Sequence, residues 1–170
     1  MTPDEPRFLT GYLPYLLRQA DQTLSAPFYA VLTRYGIARS EWRVLSVLAE
    51  FGQRGVADLA YAALSPQPTV THAVRRLEKR GLVARTQGTT DRRQRLVSVT
   101  PTGSALAATL IAEAKHLEMQ ALADAGDLSE LVVQLRQLTA SVEAGIQERA
   151  DQAAASERVT SHGGGTHDQL

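Results

Sequence analysis

The chain of 170 residues has the length of one domain, carries 18 basic and 18 acidic side chains, and contains no cysteine. The lack of cysteine excludes disulfide bonds, cysteine-ligated zinc and thiol-based catalysis or redox sensing. No apolar run approaches the roughly 18 residues of a membrane helix, and the N-terminus lacks the basic start and apolar segment of a secretory signal. We therefore expect a cytoplasmic protein that does not bind membranes.

The net charge of zero conceals an uneven distribution along the chain. Residues 66–100 hold eight basic and two acidic side chains, a net charge of +6, whereas residues 101–170 carry a net charge of −6. A basic segment of this density is typical of a surface that binds phosphates, although a solvated helix face can have the same composition.

The first half of the chain predicts three helices. Residues 12–35 form a long helical segment that Pro27 should kink or interrupt. After Gly36, residues 40–51 predict a second helix with Ser40 as its N-cap. Apolar residues at three- and four-residue spacing then predict a helix of about two turns whose stripe ends at Leu64.

A further helix and a hairpin follow the prolines at 66 and 68. From Pro68 to Arg80 the apolar residues define one inward face, and Gly81 supplies a left-handed C-cap. The pattern then changes to a period of two, so residues 82–86 and 96–100 predict strands joined by a polar, arginine-rich loop. Helix, short helix, turn, helix and hairpin is the order of a winged helix-turn-helix.

Two more helices are predicted beyond the hairpin. One begins at Thr100-Pro101 and carries a leucine and alanine stripe. The last follows a sequence that resembles a capping box, Asp127 with Glu130, and its stripe of Leu131, Leu135, Leu138 and Val142 requires a partner helix. We interpret residues 151–170 as a mostly disordered tail.

Five segments, in this order and at these intervals, resemble the multiple-antibiotic-resistance regulator (MarR) family of bacterial and archaeal transcription regulators. They are residues 40–45 (SEWRVL), 56–60 (VADLA), 70–83 (VTHAVRRLEKRGLV), 91–93 (DRR) and 99–103 (VTPTG). The resemblance covers about residues 10–148. It implies an obligate homodimer, with one winged helix-turn-helix per protomer, that represses transcription from a palindromic operator in double-stranded DNA.

The expected fold is therefore mainly α (α+β), with a two-stranded wing and dimerisation helices at both ends. The expected divisions are an N-terminal dimerisation helix (1–35), a winged helix-turn-helix (36–100), C-terminal dimerisation helices (101–150) and a tail (151–170). Pro66 and Pro68 crowd the start of the helix that precedes the hairpin, and Pro27 interrupts the first helix more than is usual in the family.

The resemblance places the base-reading helix on residues 66–80 and the wing on residues 85–95. Thr69, His72 and Arg76 lie at helical spacing and are the candidate base readers, with His72 standing where many members carry arginine. Arg92 and Arg93 of the wing are expected in the adjacent minor groove. The full set of candidate DNA contacts is Gln67, Thr69, Thr71, His72, Arg75, Arg76, Lys79, Arg92, Arg93 and Arg95.

Members of the family typically bind small aromatic or phenolic carboxylates between the dimer helices and the winged domain. The corresponding candidates here are Tyr12, Tyr15, Arg18, Trp42 and Arg43, although the aromatic residues would serve equally as core. We expect no metal, because no two of the four histidines share the spacing of a helical metal site, and no cofactor.

An enzyme is not expected, because the acidic residues are scattered and the chain has neither a Gly-rich phosphate loop nor a nucleophile elbow. The alternative function is a helical dimer that acts as a protein-interaction adaptor without specific DNA binding.

Overall fold

The structure is a computed structural model that describes residues 8–87 and 95–162, with side chains described as far as residue 154. It consists of two units, Met1–Ala123 and Asp124–Leu170. In chain order the elements of the first unit are α1 (Phe8–Gly11), α2 (Leu13–Arg34), α3 (Arg39–Phe51), β1 (Arg54–Gly55), α4 (Val56–Ala62), α5 (Gln67–Lys79), β2 (Val83–Gln87), β3 (Arg95–Val99) and α6 (Pro101–Ala121). The second unit contains α7 (Ser129–His162).

The core of the first unit lies where the inner faces of helices α2 to α6 meet the small sheet. The inward face predicted for α5 is confirmed, because Val70, Ala73, Val74 and Leu77 are all buried. The apolar side chains at helical spacing on α3 are buried as well, as is Leu59 of α4. Burial of these side chains is the main favourable contribution to the stability of the unit, at about 1.5–3 kcal/mol for each large one.

The two predicted strands and their antiparallel pairing are confirmed, and they form part of a three-stranded antiparallel sheet in the order β1-β3-β2. Val83 of β2 pairs with Val99 of β3, and Gln87 pairs with Arg95, so the described ends of the two strands are in register. The third strand, β1, pairs with Val97 and Leu96 of β3 and was not predicted. Two residues are too short to show the alternation by which a strand is recognised in a sequence.

The helices differ from the expected ones in two places. Pro27, which was expected to kink or interrupt the first long helix, lies inside α2 and does not interrupt it. Because proline has no backbone N–H, the carbonyl of Thr23 lacks its usual donor at residue 27. Both residues are exposed, so water can bind this carbonyl. The second helix begins at Arg39 rather than after Ser40, because the carboxylate of Glu41 accepts the backbone N–H of Ala38 at 2.6 Å and so caps the helix earlier.

Helix α6 begins at a side-chain cap and packs very closely on the sheet. The hydroxyl of Thr100 accepts the backbone N–H of Gly103 at 3.1 Å and donates to the carbonyl of Gly81 at 2.7 Å. Gly103 is buried, and a β-carbon at this position would collide with the backbone carbonyl of Leu82. The glycine is therefore required by the close approach of two backbones.

Helix α7 extends further than expected. Residues 151–162 are helical, which corrects their assignment to a disordered tail, while residues 163–170 lie outside the described residues.

At the start of α7, the carboxylate of Asp127 accepts the backbone N–H of Ser129 at 2.9 Å. The hydrogen bonds from Ser129 hold the pKa of Asp127 below its ordinary value. Glu130 instead accepts the side-chain amide of Gln134, so the expected capping box is not formed.

Within the described ranges, none of the helices combines the length and the apolarity that a membrane span requires.

Replacing Gly103 by alanine is expected to lower the free energy of unfolding by about 1–3 kcal/mol, because the new methyl group must displace backbone rather than a flexible side chain. Thermal unfolding followed by circular dichroism would measure this. The matched control is Ser104→Ala, an exposed position on the same helix turn, which should change stability by about 0.5 kcal/mol or less. Equal melting temperatures for Gly103→Ala and the parent would contradict the close packing.

Candidate nucleic-acid interface

The turn between α4 and α5 is held by the side chain of Arg43. One terminal nitrogen of Arg43 donates to the carbonyl of Leu64 and to the hydroxyl of Ser65, each at 3.4 Å. Leu64, predicted as the last apolar residue of a helix, instead lies in this turn with φ of +49° and is 86% exposed. Arg43 thus supports the turn that sets the direction of α5.

The outer face of α5 is a narrow ridge of His72, Arg75 and Lys79, with Pro68 at its start. At about 100° per residue, these positions lie opposite the four buried side chains of the helix. The three polar side chains of the ridge are exposed. Among the described residues no side chain caps the N-terminus of α5, so the backbone N–H groups of its first turn can donate to an external acceptor.

The other candidate readers lie on the flanks of this ridge. Thr69 and Arg76, predicted to share one face with His72, lie about 40–60° to one side of it, and Gln67 and Thr71 lie on the other side. Thr71 is half-buried, and its hydroxyl donates to the carbonyl of Gln67 at 2.9 Å within the helix. His72 is therefore closer to the middle of the outer face than any of these four residues.

Arg76 forms an ion pair with a buried acid of α3. Its Nε lies 3.0 Å from Oε1 of Glu41, whose side chain is 1% exposed, while the side chain of Arg76 is 61% exposed. Glu41 was only one of several scattered acids in the sequence. The signal that could have identified it is its place three residues after the N-cap of α3, where a glutamate commonly folds back.

Two further arginines of the basic segment also have partners within the protein. Arg80 donates to the carbonyls of Gly36 at 2.7 Å and of Tyr35 at 3.2 Å, at the C-terminus of α2. Arg85 of β2 lies 3.3 Å from the carboxylate of Glu78, measured from Nε. These side chains contribute to the net charge of the segment but are engaged in holding it together.

Among the described residues of the basic segment, the exposed cations without an ion-pair partner or a hydrogen bond to the protein lie on α5 and at the start of β3. Arg75, Lys79 and Arg95 are exposed and form no ion pair with another described residue. The wing residues Arg92 and Arg93 lie outside the described residues. The candidate interface is therefore the α5 ridge together with the base of the wing.

Within the described ranges, the candidate effector residues Tyr12 and Trp42 line two different hollows. Tyr12, Tyr15 and Arg18 line an open hollow of about 490 Å³ beside α1 and α2. Trp42 lines a separate hollow of about 220 Å³ between α2, α3 and α6, where its ring meets Phe28 edge-on at 5.0 Å. Arg43 lines neither of these hollows, because it reaches the α4–α5 turn.

No group of three His, Asp or Glu side chains in the described part of the chain is placed to hold a metal ion.

The short helix, turn, exposed second helix and antiparallel hairpin define the class of winged helix-turn-helix proteins. Comparison with known proteins agrees with this class. The model of the MarR family matches residues 37–94, which extend from just before α3 into the wing. The homoprotocatechuate degradative operon repressor of Escherichia coli is 34% identical over 116 residues, which are 66% of this chain and 78% of the relative.

Two solved structures extend the likeness over most of the chain. A MarR family transcriptional regulator from Silicibacter pomeroyi DSS-3, SPO1453, is 33% identical with a TM-score of 0.68, covering 78% of this chain and 98% of the other. NadR in complex with 4-hydroxyphenylacetate is 27% identical with a TM-score of 0.69, covering 84% of this chain and 97% of that protein.

The chain belongs to the MarR family. It is a transcription regulator and not an enzyme, which confirms the resemblance noted from its sequence motifs.

Proposed function

We propose that this regulator is a homodimeric repressor that binds a palindromic operator through α5 and the wing, and that a small aromatic acid releases it. In this proposal residues 36–100 bind DNA, and residues 1–35 and 101–150 dimerise. The observation that carries it is the α5 ridge, where His72, Arg75 and Lys79 are exposed opposite a fully buried face.

Each residue of the ridge has a role that suits its chemistry. The major groove is about 12 Å wide and admits a helix, and the N-terminal half of a recognition helix contacts base edges, so His72 is assigned to the bases. Arg75 and Lys79 flank it and suit phosphate contacts, as does Gln67 at the helix start. Thr69 and Thr71 offer a methyl group to thymine or a hydroxyl to phosphate.

The wing residues Arg92, Arg93 and Arg95 are assigned to the adjacent minor groove, where a narrow groove attracts guanidinium groups. An arginine pair here also strengthens binding electrostatically, since each neutralised phosphate releases counterions.

The direct test is a mobility-shift and fluorescence-anisotropy titration with DNA from upstream of the protein's own gene, repeated over a range of salt concentrations. We expect specific binding whose logarithmic affinity falls with the logarithm of salt concentration. Replacing Arg92 and Arg93 by alanine should weaken binding and reduce that slope by roughly 0.9 for each phosphate that the variant no longer neutralises. An unchanged slope would refute the wing assignment. Absence of any shift with the parent protein would favour the adaptor function.

The dimer is supported by apolar helix surface that is exposed in both units. In the second unit, Leu131, Leu135, Leu138 and Val142 of α7 follow helical spacing along one face and are 37–49% exposed. In the first unit, apolar side chains of α1 and α2 from Phe8 to Leu24 are exposed in the same way. Apolar stripes of this extent are typical of surfaces that another helix covers.

Replacing both Leu135 and Leu138 by glutamate should convert the protein to a monomer, because two carboxylates would be buried without partners at the interface. Light scattering after size-exclusion chromatography would measure the mass. The matched control replaces Gln137 and Ala140, which lie on the opposite side of α7, by glutamate. A parent protein that is itself monomeric, or a dimer that survives the leucine replacements, would refute this interface.

An aromatic effector is supported by two related proteins. One relative is the repressor of a homoprotocatechuate degradative operon, and NadR was solved with 4-hydroxyphenylacetate. In this chain the hollow beside α1 and α2 is lined by Tyr12 and Tyr15, by the cation Arg18 and by the acid Asp21. Aromatic walls with one guanidinium suit a hydroxylated aromatic carboxylate.

A panel of hydroxylated phenylacetates and benzoates should include a member that raises the melting temperature and weakens operator binding. An effector at 100 times its Kd stabilises the protein that binds it by about 2.7 kcal/mol. Arg18→Gln should abolish both responses, while Arg34→Gln, an exposed arginine of the same helix outside this hollow, should retain them. If no member of the panel moves either quantity, the effector proposal fails.

A further inference from the structure

Three helix ends meet at one corner of the winged domain, and two arginines of the α5 segment hold them together. Arg76 pairs with Glu41 in the first turn of α3, at 3.0 Å. Arg80, one turn further along, donates to the carbonyls of Tyr35 and Gly36 at the C-terminus of α2. We refer to these two arginines and their three partners as the arginine clamp.

The clamp suits the electrostatics of each helix end. The carboxylate of Glu41 lies at the N-terminus of α3, where the helix dipole favours an anion, and Arg76 lies in the last turn of α5, where it favours a cation. The carbonyls bound by Arg80 follow the end of α2, where carbonyls lack partners within the helix. The same pair of side chains therefore stabilises all three helix ends.

The buried position of Glu41 makes its ion pair more than an ordinary surface contact. Glu41 is fully buried, and among the described residues it is the sole charged side chain in the core. Most exposed ion pairs contribute little, but removing one partner of a buried acid leaves its charge without compensation. Pairing with this buried carboxylate is therefore energetically preferred for Arg76 over a contact with a ligand.

We propose that Arg76 and Arg80 are positioning residues of the recognition helix, which fix α5 against the α2–α3 corner and do not read bases. This inference rests on the proposed function and assigns Arg76 a different role from the guanine contact suggested by its spacing. It also implies a route for regulation, because any displacement of the end of α2 is carried through Arg80 and Glu41 to α5. The spacing of two recognition helices in a dimer would follow that displacement.

The test compares Arg76→Gln with Arg75→Gln, which changes the exposed neighbouring arginine in the same way. We expect Arg76→Gln to weaken operator binding at least about tenfold with no change in the salt slope, since the number of neutralised phosphates stays the same. Arg75→Gln should lower the slope by about 1.8, at 0.9 per phosphate for two protomers. A slope reduced equally by both variants would show that Arg76 contacts DNA directly and would overturn the proposal.

Glu41 provides a second, independent comparison. If Arg76 acts through Glu41, then Glu41→Gln should reproduce the weaker binding, and the Glu41→Gln, Arg76→Gln double variant should bind no more weakly than the worse single variant. Additive effects in the double variant, or full affinity in Glu41→Gln, would overturn the proposal. Arg80→Gln is the substitute if Glu41→Gln fails to fold, and it should also bind more weakly at unchanged slope.

Thermal unfolding of the parent, the two single variants and the double variant separates the clamp from the proposed function. If the parent protein binds no DNA, the proposed function fails, and the clamp is judged by melting temperatures alone. The clamp is supported if the decrease in melting temperature of the double variant is smaller than the sum of the decreases in the two single variants. It is overturned if the decreases are additive, as they are for independent sites.

Discussion

Helix α5 has to bury one face and expose the opposite one, and the rest of the winged domain depends on this arrangement. Val70, Val74 and Leu77 anchor the inner face in the core formed by α3, α4 and the sheet. Because the helix is rigid over its 13 residues, burial of that face determines which side chains point outwards. His72 and its basic neighbours are exposed for this reason, and a shift of the inner face would move all of them together.

The basic segment does not act as one uniform patch. Three of its arginines bind acceptors inside the protein, namely Glu41, the end of α2 and Glu78. A long guanidinium side chain readily finds such acceptors, because it carries five donors and helix C-termini leave carbonyls unpaired. The surface that we propose binds DNA is therefore narrower than the net charge of +6 suggests, and among the described residues its unpaired cations are Arg75, Lys79 and Arg95.

The same corner of the fold connects the proposed dimer helices to the proposed reading helix. Helix α2 exposes apolar side chains near its start and is followed by Tyr35, where Arg80 binds the carbonyl. An effector that binds beside Tyr12 and Arg18 would act at one end of this helix, and the arginine clamp lies at the other.

Local spacing and turn residues were enough to predict the order of the longer helices and of the two hairpin strands, the inner face of α5 and the Thr100 cap, and the resemblance of five segments indicated the family. They were not enough to place Leu64 in a turn, to extend α7 beyond residue 150 or to identify the two-residue strand β1. The burial of Glu41, the pairing of Arg76 and Arg80 with acceptors of the protein, and the contact of Arg43 with a turn follow from the packing of the folded chain. These outcomes depend on which acceptors lie within reach of a flexible side chain, and residues such as Glu41 and Arg76, 35 positions apart, become neighbours only after the core has formed.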